Sequence, residues 1–409
     1  MISYTQALEL IRKHAHIINT EMIELKSALG RIASTDIFSP LDLPTFNNSA
    51  MDGFAVKSKD CQLATPENPV LLAVGMTLQA RANIQIELEA ECSAIMTGAP
   101  VPDIYDAVIP IEFVELTEIA KKKYISINSP VKAGANLRLI GQDVSKNQLI
   151  VKAGTQLRAQ DIMLLAACGI SQIKVYTKIS LAIATTGEEI SDNYQQALEF
   201  GEIYNANAPL LESLANMPAL EARYAGILGD DPKFLKEFIK NSKEQILITT
   251  GAVSMGEWDF IPQTLKMLGA EIIFHKVAIR PGKPILFAIL NDGRYFFGLP
   301  GNPVSSFVGW RFFVFPLLRY LMHLSEEIGI KAKVENNFIK KHSLRQFLRA
   351  NLEINQAQVQ IIISADQESF KIHTLTCNNV WAIAEESQHQ INQGELITIL
   401  PAIPDFNLK

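Results

Sequence analysis

Three apolar segments of the chain end in short polar loops that carry glycine: SLAIATTGEE at 180–189, QILITTGAVSMGEWD at 245–259 and RYFFGLPGNPVSS at 294–306. The small side chains of Thr185, Thr186, Thr249, Thr250 and Ser254, with Gly187, Gly251 and Gly256, allow a ligand to approach backbone N–H groups closely. Pro303 suits a first helical turn and Asn302 an N-cap, so the third loop starts a helix sharply. Helix N-termini at such places favour anions. One Thr-Gly pair is an ordinary βα turn. Three at successive strand ends point to a phosphate-type pocket.

Acidic residues recur in the same neighbourhood: Glu188–Glu189, Asp230–Asp231, and Glu257 with Asp259. Carboxylates beside phosphates are what Mg²⁺ requires, since it takes one or two carboxylates, water and phosphate oxygens. Taken singly, each reads more readily as a solvated loop charge. Asp259 stands apart because it closes a glycine loop after Trp258. In HKVAIRPGKP, Lys276 and Arg280 share a face if the segment is a strand, and Lys283 follows the Pro281–Gly282 turn. Cations on a rigid element suit an oxyanion, although a charged edge strand reads the same way. None of the seven histidines has metal-ligand spacing, and the four cysteines (Cys61, Cys92, Cys168, Cys377) form no C-x-x-C pair.

The elements that position these loops follow from periodicity. Strand, glycine loop and helix alternate from Ile179, with helices expected over Ala208–Met217 and Lys233–Asn241. That is the pattern of a parallel sheet covered on both faces. Residues Thr5–His16 have helical periodicity, and the polar SPLDLPTFNNSAMDG at 39–53 is a shaped loop. Short alternating segments from Phe54 to Val131 read as a β-rich domain, followed by a helix ending before Gly169. The expected packing of the first helix on this later one makes the β domain an insertion. The fold class is therefore α/β multidomain. A central parallel α/β phosphate-binding domain spans 177–325, an inserted β-rich domain 46–136, an N-terminal helical/linker domain 1–45 plus 137–176, and a small C-terminal β domain 326–409.

At 409 residues the chain exceeds a single core. Its apolar fraction of 48%, charged fraction of 20% and net charge of −6 describe a soluble globular protein with no basic surface for nucleic acid. The most apolar stretch, Pro303–Leu318, carries Arg311 and reads as a buried helix rather than a membrane span. The N-terminus lacks the apolar block of a secretory signal, so a cytoplasmic enzyme is expected.

In order along the chain, NNSAMDGFAV, IMTGAPVPDIYDAVIPIE, GQDV, TTGEEI, TTGAVSMGEWDF, AIRPGKP and GLPGNPVSS resemble the motifs of the molybdopterin molybdenumtransferase family, the MoeA type, which is similar to the gephyrin E domain. The resemblance implies a homodimer of four-domain subunits that inserts molybdate into adenylylated molybdopterin, with Mg²⁺ and release of AMP. Carried onto this chain, it implies catalytic roles for Asp52, Asp143, Asp230 and Asp259 and a metal pair Glu189 and Asp259. It implies substrate contacts from Thr97, Thr186, Gly187, Gly251, Ser254, Gly256, Lys276, Arg280, Pro300, Gly301, Pro303 and Ser369. The loops of Asp52 and Asp143 are then expected to complete the partner subunit's pocket. Further contacts with the adenylylating enzyme and with acceptor molybdoenzymes are implied as well. This chain departs from the family pattern at Leu139, Ile140 and Gln142, and in the tail at Gln346 and Glu368. Two other functions fit parts of the sequence: a non-catalytic pterin-binding dimeric scaffold, suggested by those departures, and the molybdopterin adenylyltransferase, which shares only the glycine-loop domain.

Overall fold

The structure, a computed structural model, describes residues 1–79, 90–253, 260–355 and 358–406. The chain forms two compact units. One contains Met1–Thr35, Ala153–Ala159 and Gln172–Lys409; the other contains Asp36–Lys152 and Gln160–Ser171.

The first unit opens with helix α1 (Tyr4–His14). Ser3 Oγ accepts from Gln6 N–H, and the Gln6 side chain accepts in return from Ser3 N–H, a capping box that fixes the start of the helix. Strand β1 (Thr20–Glu24) follows. Within its own unit, α1 packs on the α/β region. Tyr4 and Ile11 enter the core of that region, where Tyr4 meets Phe312, Phe313 and Phe347 edge-on.

The second unit is built on strands β2 (Gly53–Val56), β3 (Val70–Leu78), β4 (Cys92–Ile95), β5 (Ala107–Pro110), β6 (Val114–Ile119) and β7 (Lys122–Ile127). Their order is β5-β2-β4-β3-β7-β6, with only β3 and β4 parallel. Phe54, Val56, Leu72, Ile109 and Ile125 fill its core. At Gly53 an added Cβ would lie 1.9 Å from the carbonyl oxygen of Ile109, so only glycine lets β2 and β5 pair this closely beside Asp52. Helix α2 (Ala159–Ala167) ends at Gly169, whose φ of +71° places it in the left-handed region that terminates helices.

Back in the first unit, β8 (Gln172–Tyr176) pairs antiparallel with β1. The central elements are β9 (Ile179–Thr186), α3 (Asn207–Ala215), β10 (Leu220–Leu228), α4 (Pro232–Asn241), β11 (Ile246–Thr250) and α5 (Ile261–Met267). They continue with β12 (Glu271–His275), β13 (Leu286–Ile289), β14 (Tyr295–Leu299), α6 (Pro303–Gly309) and α7 (Phe315–Leu321). A π-helical turn at Trp310–Val314 joins the last two helices. The sheet runs β10-β9-β11-β14-β13-β12. Along β9, Leu181 and Ile183 enter the core on one face while Ala182 and Ala184 enter that on the other, so both faces are buried.

The expectation of a parallel sheet holds for β10, β9, β11 and β14 and fails at β13, which runs antiparallel to both its neighbours β14 and β12; the sheet is mixed. The connection from β13 to β14 turns on Asn291-Asp292-Gly293, with Gly293 at φ +86°, and is too short for a helical crossover.

The chain ends in strands β15 (Ile330–Val334), β16 (Arg345–Asn355), β17 (Gln358–Ile363), β18 (Val380–Ala384) and β19 (Leu396–Pro401), with helix α8 (His373–Thr376) between β17 and β18. They pair in the closed order β16-β17-β15-β19-β18-β16, a small barrel. Phe347 of β16 stacks on Phe312 with ring centroids 3.8 Å apart, and Trp381 meets Phe312 edge-on. These contacts seat the barrel on the α6–α7 run.

Candidate active site

The three glycine loops follow β9, β11 and β14, which are neighbours in the sheet and aligned so that Thr185 faces Thr250 and Thr250 faces Leu299. Their carboxyl ends therefore come together. Gly251 is the meeting point. A Cβ there would lie 2.4 Å from Thr186 Oγ1 and 2.8 Å from the Thr186 carbonyl oxygen, and its φ is +95°. On its other side the added Cβ of Gly301 would come within 3.5 Å of Gly251 Cα. The loops are held in contact by Thr186 Oγ1 donating to Thr250 O at 3.0 Å and Gly251 N–H donating to Leu299 O at 2.9 Å. Glycine is needed at 251, where a side chain would meet the Thr186 hydroxyl and backbone and φ is positive.

Above the meeting point lies a cleft of about 760 Å³. Thr186, Gly187, Gly251, Gly301 and Pro303 line it together with the carboxylates Glu189 and Asp230. Asp231 is occupied elsewhere: its side chain accepts from Lys233 N–H at 2.8 Å and caps α4, where Pro232 holds the first turn. Asp230, without that duty, faces the cleft. Pro300 is buried just behind, its carbonyl accepting the Ser306 hydroxyl. Asn302 occupies the N-cap position of α6, yet its side chain makes no capping bond.

Several lining residues were not evident from sequence. Ile203, Tyr204, Asn205 and Asn207 come from the segment leading into α3, and Phe370 and Ile372 from the turn between β17 and α8. Asn205 is 3% exposed; its Nδ2 group lies 2.7 Å from Asp192, 2.9 Å from Tyr224 OH and 3.1 Å from Thr185 Oγ1. Its Oδ1 accepts from Ala208 N–H at 3.1 Å, and Tyr224 donates to Asp192 at 2.8 Å. This network ties the 190–205 segment to β9 and β10. Asn207 Nδ2 donates to Gly301 O at 2.7 Å, while its buried Oδ1 has no partner among the described residues. Asn302 Oδ1, Thr249 Oγ1 and Thr250 Oγ1 are also buried and, among the described residues, unpartnered. Unpaired buried oxygens gathered at strand ends are places where a ligand is expected to bond. The sequence signal was the Asn-Ala-Asn of IYNANAP just before a helix, a capping pattern.

Lys276 and Arg280 do not lie on one strand. β12 stops at His275, Lys276 takes φ +76°, and Ile279–Arg280 joins the barrel beside Arg345–Gln346. The chain must leave the sheet here to reach the barrel, which breaks the alternation on which the shared face depended. Neither residue lines the cleft, and neither makes an ion pair among the described residues. Arg280 is exposed and close enough to His342 to depress its protonation: burial lowers the His342 pKa first, then the charges of Arg280 and Lys340. Ser369 is half-buried and does not line the cleft, whereas its neighbour Phe370 does. Ser254, Gly256 and Asp259 lie outside the described residues, so the Glu189–Asp259 pair does too. Among the described residues no group of three or more His, Cys, Asp or Glu side chains is placed to hold a metal.

In the other unit, Asp52 accepts from Thr97 N–H at 2.7 Å and from Thr97 Oγ1 at 3.0 Å. These two bonds, the backbone one first, hold the Asp52 carboxyl below its ordinary range although it is fully exposed. Asp143 is exposed on a loop whose backbone pairs with Leu43.

Comparison with known proteins agrees with this architecture. Residues 2–169 match the MoeA N-terminal region (domain I and II), and residues 182–320 a probable molybdopterin binding domain. The chain is 32% identical to the molybdopterin molybdenumtransferase of Synechococcus elongatus, covering 98% of this chain and 99% of the relative. It is 34% identical to that of Haemophilus influenzae over 93% of this chain and 94% of the relative. The solved molybdopterin biosynthesis MoeA protein of Pyrococcus horikoshii OT3 superposes with a TM-score of 0.80 at 26% identity, covering 98% of this chain and 99% of that one. No helix among the described residues is long and apolar enough to cross a membrane. With relatives above 30% identity matched end to end, this chain belongs to the molybdopterin molybdenumtransferase family.

Proposed function

We propose that the cleft binds adenylylated molybdopterin and that the protein inserts molybdenum from molybdate into it, releasing AMP. The observation that carries this reading is the convergence at Gly251: three glycine loops packed backbone to backbone, with Glu189 and Asp230 facing the space above them. Backbone N–H groups of the loops and the start of α6 suit the phosphates. The Oδ1 of Asn207, unpartnered among the described residues, accepts, and so suits a ring amine or a ribose hydroxyl.

The donor set fits Mg²⁺, since two exposed carboxylates lie where phosphate oxygens would supply the other ligands. Glu189, Asp230 and Asp259 would hold it, and when bound it neutralises charge on the phosphate. Cleaving the phosphoanhydride is mostly positioning and charge neutralisation. The chain's residues keep the phosphate seated while an oxygen of molybdate or water attacks, so no side-chain nucleophile is needed. Lys276 and Arg280, without an ion-pair partner among the described residues, are the cations for molybdate, Arg280 beside His342. Asp52, Thr97 and Asp143 then serve the site of a partner subunit in a homodimer.

The test is AMP release from adenylylated molybdopterin with and without molybdate. Molybdate-stimulated AMP release supports the transferase. Binding without turnover would identify a scaffold, and formation of the adenylate from ATP an adenylyltransferase.

A further inference from the structure

The turn between β17 and α8 is braced from several sides. Arg349 of β16, 1% exposed, donates to three of its carbonyls: Asp366 at 2.7 Å, Lys371 at 3.1 Å and Glu368 at 3.2 Å. The Gln367 side chain accepts from Arg349 N–H and donates to Arg349 O, both at 3.0 Å. Lys371 Nζ pairs with Asp366 at 2.6 Å and Glu368 at 3.2 Å. Burying a guanidinium to hold three carbonyls of one turn is a costly way to anchor a surface loop. Yet this turn presents Phe370 at 68% exposure and Ile372 at 46%.

Exposed apolar residues scattered singly need no explanation. Phe370 and Ile372 differ because they line the same cleft as the glycine loops, together with Ile203 and Tyr204. An aromatic side chain held on a braced turn beside a phosphate cradle presents a flat apolar surface that has already lost its freedom to move. The substrate read for this cleft carries two planar-edged fused-ring heterocycles, a purine and a pterin, joined through phosphates.

We propose that Phe370, with Ile372 beside it, is the stacking wall for one of these rings. The C-terminal barrel thus positions the ring while the α/β loops hold the phosphates. Phe370 is a positioning and specificity residue, and the proposal rests on the cleft being the adenylylated-pterin site.

The experiment measures binding of three probes (inorganic pyrophosphate, AMP and adenylylated molybdopterin) to wild type, Phe370→Ala and Phe370→Trp. Phe370→Ala should weaken AMP, adenylylated molybdopterin or both by roughly 5- to 100-fold, the range for loss of one base–aromatic stack. It should leave pyrophosphate binding unchanged. Phe370→Trp should restore affinity to within about threefold and show ligand-dependent fluorescence quenching beyond that of the native tryptophans, as a stacked indole does. Loss with AMP assigns the wall to adenine; loss only with the adenylylated pterin assigns it to the pterin. Equal loss for pyrophosphate, or no recovery with tryptophan, would show that Phe370 merely holds the turn and overturns the wall. Unchanged affinities in Phe370→Ala overturn it as well. If wild type binds none of the three probes, the reading of the cleft itself falls, and the wall with it.

Discussion

At the scale of single residues, Gly251 and Asp52 are governed by different physics. Gly251→Ala places a methyl 2.4 Å from Thr186 Oγ1 and 2.8 Å from a backbone oxygen, at a φ of +95° that side chains resist. A destabilisation of about 2–4 kcal/mol is expected from strain and steric displacement together. Gly301→Ala, whose new methyl would lie 3.5 Å from Gly251 Cα, should be tolerated in the fold. Denaturant unfolding of the two variants checks the contrast, and equal effects would contradict the loop packing. Asp52 is a matter of hydrogen bonding. Its folded pKa lies below the ordinary 3.8, so its stabilising contribution is present above about pH 3.8 and is lost as pH falls through the folded value. Thr97→Val removes the hydroxyl bond and keeps the larger backbone one. Carboxyl NMR titration should therefore show the Asp52 pKa rising only part of the way to its ordinary value. Full reversion would mean that the hydroxyl, not the backbone, dominates. Both residues stand out in the sequence as glycine-loop or polar-loop members. Which of them meets what is not written locally: Gly251 is required because of Thr186, a residue of another strand's loop.

At the scale of elements, the instructive segment is His275–Pro284. Its charges were legible, but its conformation was not. Alternation predicts a strand, while the observed backbone leaves the sheet at Lys276 and re-enters pairing at Ile279–Arg280 against β16. Arg280 thereby comes to depress the protonation of His342, after burial and ahead of Lys340. For histidine the sign is clear. A folded pKa lowered from 6.5 means the unfolded chain binds the proton more readily, so stability rises with pH and is lost as pH falls through 6.5 toward the folded value. In Arg280→Ala the His342 pKa should rise, though not fully, because burial remains the larger cause. Molybdate bound beside Arg280 should raise it in wild type too. Imidazole NMR titration with and without molybdate reads both effects. AMP release against molybdate concentration should show Arg280→Ala requiring more molybdate and Arg280→Lys recovering much of the loss, since one charge-assisted contact is worth about 1.5–3 kcal/mol. A molybdate-independent His342 pKa would move the anion site elsewhere.

At the scale of the whole molecule, the residues expected to act fall in two compact units: Asp52, Thr97 and Asp143 in one, and the glycine loops, Glu189, Asp230, Lys276 and Arg280 in the other. We propose composite sites completed across a homodimer. Asp52→Ala and Asp259→Ala, each inactive alone, should regain activity when their subunits are mixed and allowed to exchange. Up to about a quarter of the sites would then receive both intact loops, if exchange is random. Exchange demonstrated by mass spectrometry without returning AMP release would confine the two loops to one chain.

The sequence by itself determined the local part of this protein. Strand–glycine–helix alternation, the small residues at three strand ends and the apolar runs of β9, β11 and β14 are properties of contiguous residues, set by side-chain periodicity and by what backbone angles glycine and proline allow. These were enough to place Thr186, Gly187, Gly251, Gly301 and Pro303 on loops of one kind, and the structure brings them into one cleft. The reversal of β13, the role of Asn205 and Asn207, the duty that turns Asp231 away from the cleft, and the presence of Phe370 and Ile372 within it were decided by tertiary structure alone. Each depends on a partner far along the chain: Asn207 on Gly301, Phe370 on a turn held by Arg349, Arg280 on a barrel strand. Such pairings form only when the core closes and burial forces each polar group to find a partner, and no local pattern of residue types records which partner that will be.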